Sequence, residues 1–479
     1  MLFSELCGGY HPRPGQADPE ITGISEDSRE IRPGWLFVAV PGTRLDGHDF
    51  VTDAARRGAA AVVAERPVPG TALPTTIVPS ARAALAQLAA RFYGCPSRRL
   101  RLVGFTGTFG KTTTSEVLRA LLTAGGHRVG VIGSLGARFD DYANAGPGLT
   151  TPSPPVLHRM LQEISARGAD TVILEVTSHA MVLGRVEGLA FPDFVLAAIV
   201  PGEHTDFHRS YRDYVATKSR FLDYLAPGAL LAFDADNPAS RALAHRAGGA
   251  VLAGLSIGRR APVGPRDIVI AGIELDEHGA LITVRGERMR SSLLGSVNVR
   301  AVGLALAHAL ARDVNVRTAR RALANLVPPR RRMQRFDLGG RTVLDDVAAH
   351  PDSFRGVFEV ADLLPHDRLV VACAMRGHRG VDINRRNALA LADMALQYAA
   401  GRVIVTASSD TAGETDRASA DEIDATRAAF AERGCEIAWH DTLAAGMRDA
   451  AVSSSGGDLV VLVGAQGMDR GARLLREAM

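Results

Sequence analysis

The chain has 479 residues, and its 55 basic and 52 acidic side chains leave a formal net charge of +3. This balance gives no indication of a nucleic-acid or membrane partner, and no apolar run reaches the roughly 18 residues of a membrane span. The start of the chain lacks the pattern of a signal peptide and the four cysteines are widely separated, so we expect a cytoplasmic protein with reduced thiols and two to four domains.

In chain order, residues 1–98 alternate short apolar runs such as WLFVAV with helical patterns, which predicts a small N-terminal α/β domain. Over residues 99–326, apolar strands alternate with amphipathic helices, and this rhythm predicts βαβ units on a parallel sheet. The turn-rich VPPRRRMQRFDLGGR opens a third α/β segment, residues 327–479, with strands such as RLVVACAM and DLVVLVGA. The predicted fold class is α/β in three domains.

The central segment GFTGTFGKTTTSEVL has the pattern of a phosphate-binding loop. A strand ends, glycines form a turn, and Lys-Thr opens a helix whose N–H groups can face an anion. Lys111 would neutralise the β- and γ-phosphates of a nucleotide, and Thr112 would hold Mg²⁺. Phe105 replaces the first glycine of the strict G-x-x-x-x-G-K-[ST] pattern, so an ordinary strand–turn–helix junction is the alternative.

Glu175 follows the buried run TVIL in TVILEVTSH. A carboxylate at the C-terminal end of a parallel strand points into the ligand crevice, and Mg²⁺ prefers such hard oxygen ligands. The sequence therefore predicts Glu175 as a magnesium ligand. A capping or ion-paired glutamate is the alternative.

The chain has two lysines among its 55 basic residues, Lys111 and Lys218. A lysine amine can be desolvated, deprotonated and covalently modified, which an arginine cannot match. We therefore predict that both positions need a primary amine. Chance survival of a compositional bias towards arginine is the alternative.

Together these segments resemble the Mur ligase family, and within it the MurE type, over nearly the whole chain. That type adds an amino acid to a UDP-N-acetylmuramoyl-dipeptide in peptidoglycan synthesis. The segments that carry the resemblance are DSREIRPGW, TGTFGKTTT, LTTPSPP, LEVTSHAMVLGR, GEHTDFHRSYRDYVATKSRF, GSVNVRAVG, VPPRRRMQRF and VLDDVAAHPDSF.

The resemblance implies a set of site residues in three groups. The implied ATP-binding residues are Thr106, Gly107, Thr108, Gly110, Lys111, Thr112, Thr113, Asn298, Arg332 and Asp346. The implied acceptor-binding residues are Ser28, Arg29, Thr150, Thr151, Ser178 and Arg185. The implied catalytic residues are Lys111, Glu175, His204 and Lys218, and the implied magnesium ligands are Thr112, Glu175, His204 and Lys218 as a carbamate.

The same resemblance implies the activity and the domain roles. The expected reaction is ATP-dependent amide-bond formation, in which a carboxylate acceptor, a UDP-MurNAc-peptide or a related acid, is activated as an acyl phosphate and joined to an amino acid or amine. Residues 1–98 would bind the acceptor, 99–326 would form a P-loop ATPase-like domain, and 327–479 a Rossmann-like, amino-acid-binding domain. ATP and Mg²⁺ are the implied cofactors, and a monomer is expected.

The departures from the family pattern concentrate in the third domain, where the amino acid is expected to bind. The D-N-P-R and G-K-G-H-E motifs of the MurE type are replaced at Thr411, Ala412, Gly413, Ala465, Met468 and Asp469. In the central domain, Phe109 replaces an asparagine and Glu203 replaces an aspartate. Because an arginine clamp for a second carboxylate is missing, we expect that the donor is not meso-diaminopimelate.

Three alternatives remain at this point. The chain could be a Mur ligase paralogue of a specialised-metabolite pathway with a different substrate, or a non-catalytic relative that binds nucleotide without turnover. A folylpolyglutamate synthase would share the ATP domain, but the D-S-R and T-T-P stretches argue against it.

Overall fold

The computed structural model describes residues 1–8, 17–42, 45–146, 148–201, 207–258, 264–413 and 416–479. Among these residues, three separate β-sheets follow one another along the chain, each packed against helices. The predicted α/β fold class is confirmed. The domain limits after residues 98 and 326 stay predictions.

The N-terminal sheet is parallel with strand order β1-β2-β3-β4. Its strands are β1 (Gly23–Ser25), β2 (Trp35–Val38), β3 (Ala61–Ala64) and β4 (Thr75–Ile77), and the helices are α1 (Phe3–Cys7), α2 (Val51–Arg56) and α3 (Ala81–Phe92). Two apolar clusters cover this sheet, one formed largely with α1 and α3 and the other with α2.

The central sheet has the order β15-β14-β13-β12-β11-β10-β5-β9-β6-β7-β8. Its strands are β5 (Arg101–Thr106), β6 (Val129–Gly133), β7 (Gly136–Phe139), β8 (Tyr142–Asn144), β9 (Thr171–Glu175), β10 (Phe191–Leu196), β11 (Leu225–Asp234), β12 (Val251–Ile257), β13 (Ile268–Asp276), β14 (Gly279–Val284) and β15 (Glu287–Ser291). The run from β6 to β13 is parallel, as expected, and antiparallel hairpins extend both edges.

Helices pack on both faces of the central sheet. They are α4 (Lys111–Ala124), α5 (Pro154–Ala166), α6 (Ser178–Val182), α7 (Tyr211–Ser219), α8 (Pro238–Arg246), α9 (Ser296–Ala311) and α10 (Val316–Ala324). One face carries an apolar cluster with α4 and α9, and the other carries a cluster with α5 and α8. Each fully buried large apolar side chain contributes roughly 1.5–3 kcal/mol to folding, so β5, buried on both faces, is held rigidly at the centre.

The C-terminal sheet has the order β16-β17-β21-β18-β19-β20, and β16 is its antiparallel edge strand. The strands are β16 (Gln334–Leu338), β17 (Arg341–Asp345), β18 (Leu369–Ala374), β19 (Arg402–Thr406), β20 (Ala438–His440) and β21 (Leu459–Gly464). The helices are α11 (Pro351–Leu363), α12 (Val381–Gln397), α13 (Ala420–Glu432), α14 (Leu443–Val452) and α15 (Gly471–Ala478). Among the helices of the described segments, none has the length and apolar character to cross a bilayer.

His158 on α5 is buried at 2% exposure, and its Nδ1 has no hydrogen-bond partner among the described residues. Burial lowers the pKa of His158 from 6.5 to about 4. Above pH 6.5 the ring is neutral in both the folded and the unfolded state, so its burial brings no protonation cost. As the pH falls from 6.5 towards 4, the ring takes up a proton in the unfolded state but not in the folded state, and the free energy of unfolding decreases.

We therefore expect the melting temperature to fall between pH 7 and pH 5, and to fall less in His158→Gln, which cannot take up that proton. Thermal unfolding followed by circular dichroism measures both slopes. His278→Gln is the matched control, because the His278 side chain is 70% exposed. Equal slopes for the wild type and His158→Gln would contradict the assignment.

Candidate active site

The predicted phosphate loop connects β5, at the centre of the sheet, to α4. Gly110 adopts φ +77, which favours glycine, and a Cβ on Gly107 would lie 2.6 Å from the Cβ of Ala197. Lys111 Nζ folds over the loop and donates to the carbonyl oxygens of Gly107 and Thr108 at 3.0 and 3.1 Å. The loop is therefore a compact turn that ends at the N-terminus of a long helix, the geometry that binds phosphate.

Two threonines of this loop tie it to the segment after β9 and to helix α7. Thr106 Oγ1 donates to the carbonyl oxygen of Val176 at 2.8 Å, and Thr108 Oγ1 lies 3.2 Å from the hydroxyl of Tyr214. Thr112 and Thr113 are buried in the first turn of α4. No acidic residue lies in that first turn, so its N–H groups can serve an anion.

Glu175 ends β9 beside the phosphate loop and is 1% exposed. Its Oε2 accepts hydrogen bonds from Thr112 Oγ1 at 3.3 Å and from Ser134 Oγ at 3.1 Å. Burial raises the pKa of Glu175, while the charges of Lys111 and Arg332 oppose that rise. A buried carboxylate next to a hydroxyl, flanked by two cations, is suited to a divalent cation and phosphate.

Lys218 lies in the last turn of α7 and is 1% exposed. Its Nζ donates to Thr106 Oγ1 at 3.3 Å and to the Gly107 carbonyl at 3.0 Å, and it lies 4.9 Å from the centroid of the Tyr214 ring. Burial, and to a lesser extent the charge of Lys111, hold the pKa of Lys218 well below its usual range. Within the described residues, no carboxylate pairs with this amine, and both lysines contact the same carbonyl.

His204, the fourth predicted catalytic residue, lies outside the described residues, as does Glu203. Across the described part of the chain, no group of three or more His, Cys, Asp or Glu side chains is arranged to hold a metal ion. The predicted ligands that can be placed are Thr112, Glu175 and Lys218, all buried at the same loop.

The C-terminal domain reaches this loop through Arg332. Its Nη2 lies 3.4 Å from Thr112 Oγ1, and burial lowers its pKa against the opposing charges of Asp346 and Glu175. Asp346 is buried and accepts from the backbone N–H groups of Met333 and Ala348, both at 2.8 Å. Burial raises the pKa of Asp346, and Arg332 opposes the rise. A contact between charged and polar side chains is thus formed between the central and C-terminal domains at the phosphate loop.

Asn298, predicted to lie by the adenine, is buried in the first turn of α9. Its Nδ2 donates to the Leu294 carbonyl at 2.8 Å, which fixes the orientation of the amide. Within the described residues, Asn298 makes no hydrogen bond to the phosphate loop, and its role in nucleotide binding stays a prediction.

Of the predicted acceptor-binding residues, Thr150 and Thr151 lie beside Glu175. Thr150 Oγ1 lies 3.0 Å from Ser134 Oγ, and Thr151 Oγ1 donates to the Glu175 carbonyl at 2.8 Å. Arg185 donates to the Thr151 carbonyl at 2.7 Å. These residues form a hydrogen-bonded group that ends at the carboxylate.

The other three acceptor residues are more scattered. Ser178 Oγ lies 3.0 Å from Nε2 of the buried His208. Ser28 and Arg29 lie in a short 3₁₀ turn of the N-terminal domain, where Arg29 is exposed and pairs with Asp27. Glu26, which precedes this turn, contacts the central domain. Burial raises the pKa of Glu26, and a hydrogen bond from Ser153 and the charge of Arg185 oppose the rise.

Sequence reasoning missed several residues of this site. Ser134 bridges Thr150 and Glu175, Tyr214 contacts Thr108, and the ring of Phe109 packs against His350 with centroids 5.3 Å apart. Ser134 could have been found, because it follows β6 at the same edge of the sheet as Glu175. The other two contacts join residues distant in the chain and carry no local signal.

Comparison with known proteins agrees with this geometry. Family models match three consecutive segments: the Mur ligase family catalytic domain over residues 20–93, the Mur ligase middle domain over 105–309, and the Mur ligase glutamate ligase domain over 331–466. A UDP-N-acetylmuramoyl-L-alanyl-D-glutamate–2,6-diaminopimelate ligase of Bacillus licheniformis is 34% identical over 76% of this chain and 75% of its own length. The chain belongs to the Mur ligase family.

Solved structures of Mur ligases share the fold. A UDP-N-acetylmuramoyl-L-alanyl-D-glutamate–2,6-diaminopimelate ligase aligns with a TM-score of 0.65 at 20% identity, covering 100% of this chain and 98% of the other. The MurF ligase of Thermotoga maritima in complex with ADP aligns with a TM-score of 0.64 at 20% identity, covering 95% and 97%. Membership of this family makes the chain an ATP-dependent, ADP-forming acid–amine ligase.

Ser134→Ala tests the bridge between Thr150 and Glu175. A hydrogen bond to a charged group contributes about 1.5–3 kcal/mol, so we expect kcat/KM for ADP release to fall about tenfold or more while the melting temperature changes little. Ser219→Ala is the matched control, because Ser219 is partly exposed and its hydroxyl donates to the Ala216 carbonyl, away from Glu175. Unchanged kinetics in Ser134→Ala would show that Glu175 does not need this bridge.

Proposed function

We propose that the chain joins the amino group of an amino acid to the carboxylate of a UDP-N-acetylmuramoyl-dipeptide, with release of ADP and phosphate. The observation that carries this proposal is the convergence of Lys111, Glu175 and Lys218 on one phosphate loop. The names of the relatives support the acceptor, since they are ligases of UDP-N-acetylmuramoyl-L-alanyl-D-glutamate. We further propose that it acts as a cytoplasmic monomer.

In this proposal ATP binds with its phosphates on the loop of residues 106–113. The N–H groups at the start of α4 and the Lys111 ammonium face the β- and γ-phosphates, and Lys111 exchanges its loop carbonyl contacts for phosphate oxygens. Asn298, Arg332 and Asp346 are assigned to the rest of the nucleotide, at the border between the central and C-terminal domains. The ADP bound by the Thermotoga maritima relative supports nucleotide binding by this fold.

The reaction has two steps. A carboxylate oxygen of the acceptor attacks the γ-phosphorus, the bond to the bridging oxygen breaks, and ADP leaves with the electron pair. The donor nitrogen then attacks the acyl carbon, a C–N bond forms, phosphate leaves, and the nitrogen loses a proton to solvent or phosphate. Charge develops on the phosphoryl oxygens, where Lys111 and the helix amides stabilise it.

The side chains at the loop fit Mg²⁺. The Thr112 hydroxyl and the Glu175 carboxylate are hard oxygen donors 3.3 Å apart. When bound, the ion supplies further charge neutralisation to the phosphates. Thr112, Glu175, His204 and a carbamate on Lys218 are the residues we propose to hold it.

The carbamate follows from the surroundings of Lys218. An ammonium buried to 1% exposure without a carboxylate partner among the described residues is an unpaired buried charge, which is costly. A neutral amine can attack CO₂ to form an N–C bond, release a proton and become an anionic carbamate. That group supplies two oxygens for a cation, which an arginine at this position cannot do.

We assign the acceptor to the N-terminal and central domains. Thr150, Thr151 and Arg185 are linked to Glu175 by hydrogen bonds, which supports a position for the acceptor carboxylate near the γ-phosphate. Ser178, Ser28 and Arg29 complete the proposed acceptor site around the uridine diphosphate sugar.

The alternatives are not favoured. A non-catalytic relative would not need two buried lysine amines on one loop in a chain that otherwise uses arginine. A specialised-metabolite paralogue is not favoured either, because the relatives are ligases of peptidoglycan synthesis at 31–36% identity.

The test of the proposed function is product analysis. With ATP, Mg²⁺, UDP-MurNAc-L-Ala-D-Glu and a panel of amino acids, we expect ADP and phosphate in step with an amide product seen by mass spectrometry. Lys111→Ala should lower the rate at least about 100-fold. Arg119→Ala, which removes a cation from the exposed face of the same helix, is the matched control. AMP and pyrophosphate, or a nearly normal rate in Lys111→Ala, would refute the acyl-phosphate reaction.

For the carbamate, we expect Lys218→Arg to be as inactive as Lys218→Ala, although it keeps a positive charge. Added acetate or another short carboxylate should restore part of the activity of Lys218→Ala, because a small acid can occupy the place of the carbamate. Carbon-13 NMR of protein equilibrated with labelled bicarbonate detects the carbamate directly. Substantial activity in Lys218→Arg would exclude this role.

A further inference from the structure

The C-terminal domain contains a cavity at the carboxyl ends of β18 and β21. The chain runs outward from β18 to β19 and β20 and then returns with β21 on the other side of β18. Connections diverge at such a reversal, and ligands of open α/β sheets bind in the crevice that results. Met375 follows β18 and Ala465 follows β21, and both line this cavity of about 560 Å³, a volume that includes its open mouth.

The cavity wall is largely apolar. Buried side chains that line it are Phe354, Cys373, Met375, Leu391, Val405 and Phe430. Burial raises the pKa of the Cys373 thiol to about 12, so this group stays neutral. Of the described residues that line the cavity, none carries a carboxylate. From these lining residues, a side chain that ends in an ammonium group would gain no anionic partner to offset its lost hydration, whereas an apolar side chain fits the apolar wall.

The side-chain amide of Asn387, in the cavity wall, indicates where a ligand would carry a hydrogen-bond donor. Asn387 donates through Nδ2 to the Ala349 carbonyl at 2.9 Å, and its buried Oδ1 has no donor among the described residues. Turning the amide would place its oxygen against the Ala349 carbonyl, so the orientation is determined. An amino group of a ligand satisfies this acceptor.

The rim of the cavity is cationic. Arg376 and Arg379 belong to the lining, and Arg376 Nε donates to Asp416 at 2.8 Å, which positions the guanidinium. The segment that carries them is held from below by Glu422, which accepts from the N–H groups of Arg379 and Gly380 at 2.9 and 2.8 Å. A guanidinium has five N–H donors and can serve a second carboxylate, so this rim suits an α-carboxylate.

Both ends of the cavity connect to the phosphate loop. Ala349 precedes His350, whose ring packs against Phe109 of the loop. On the other side, the Gly464 and Ala465 carbonyls accept from the Arg331 guanidinium, and the next residue, Arg332, reaches Thr112. A ligand of this cavity therefore lies in the domain face that meets the site of phosphoryl transfer.

We propose that this cavity selects the amine donor of the ligase and that the donor is an α-amino acid with an apolar side chain, such as leucine or phenylalanine. The side chain enters the apolar cavity, the α-carboxylate faces Arg376 and Arg379, and the amino group is oriented by Asn387. This inference rests on the proposed function, because it assigns the donor of that same reaction. Asn387 is a positioning residue in this assignment, because it orients the amino group that every α-amino acid carries.

The test is a competition. Equal concentrations of L-leucine, L-phenylalanine, L-lysine and meso-diaminopimelate are offered together with ATP and UDP-MurNAc-L-Ala-D-Glu, and the products are separated by mass. We expect the leucine or phenylalanine product to exceed the other two at least about tenfold. Asn387→Leu should raise KM for the amino acid about tenfold and leave KM for ATP unchanged. Leu396→Ala, at the exposed far end of α12, is the control.

The outcomes separate the two proposals. Preference for lysine or meso-diaminopimelate would overturn the apolar donor and leave the ligase function standing. If no donor gives a product, the ligase proposal fails on this acceptor. Calorimetry of L-phenylalanine with the ADP-bound protein then tests whether the cavity binds an apolar amino acid. Binding that Asn387→Leu weakens supports the assignment, and absence of binding to the wild type overturns it.

Discussion

Burial of the Glu175 carboxylate beneath the phosphate loop is the constraint around which the site is arranged. An isolated buried carboxylate is costly, and here it is compensated by hydroxyls from α4 and from the end of β6, and by the charges of Lys111 and Arg332. Arg332 belongs to the C-terminal domain. The compensation therefore depends on the domains being together, which couples the position of the C-terminal domain to the proposed phosphate and metal site.

The two lysines have different parts in the same arrangement. Lys111 is partly buried and spans the loop, so it can exchange carbonyl contacts for phosphate oxygens. Lys218 is enclosed by Thr106, Gly107 and Tyr214, where a permanent charge is unfavourable. The contact of both amines with the Gly107 carbonyl brings like charges close, and this repulsion favours loss of the proton from the more buried amine.

The sequence predicts those parts of the structure that depend on neighbouring residues, and it does not predict contacts between residues that are distant in the chain. The strands of the βαβ rhythm and the phosphate loop were predicted because their signals lie in consecutive residues. The antiparallel hairpins of β7–β8 and β13–β15 were not, because edge strands lack the continuous apolar runs of buried parallel strands. Contacts such as Phe109 with His350 depend on domain packing, and no local pattern encodes them.

The division between retained and altered motifs has a physical basis. In the proposed reaction the phosphate loop serves a triphosphate, whose charge and geometry do not vary, so the proposal constrains Lys111, Thr112 and Glu175 together. The C-terminal loops are proposed to serve a donor whose side chain can vary. Here the Thr411 hydroxyl donates to the Gly467 carbonyl at 3.1 Å, so the two altered loops support each other. Glu422 holds the segment after β18 through the N–H groups of Arg379 and Gly380. The proposed change of donor requires such hydrogen bonds, because the replaced loops must still hold the amine in place.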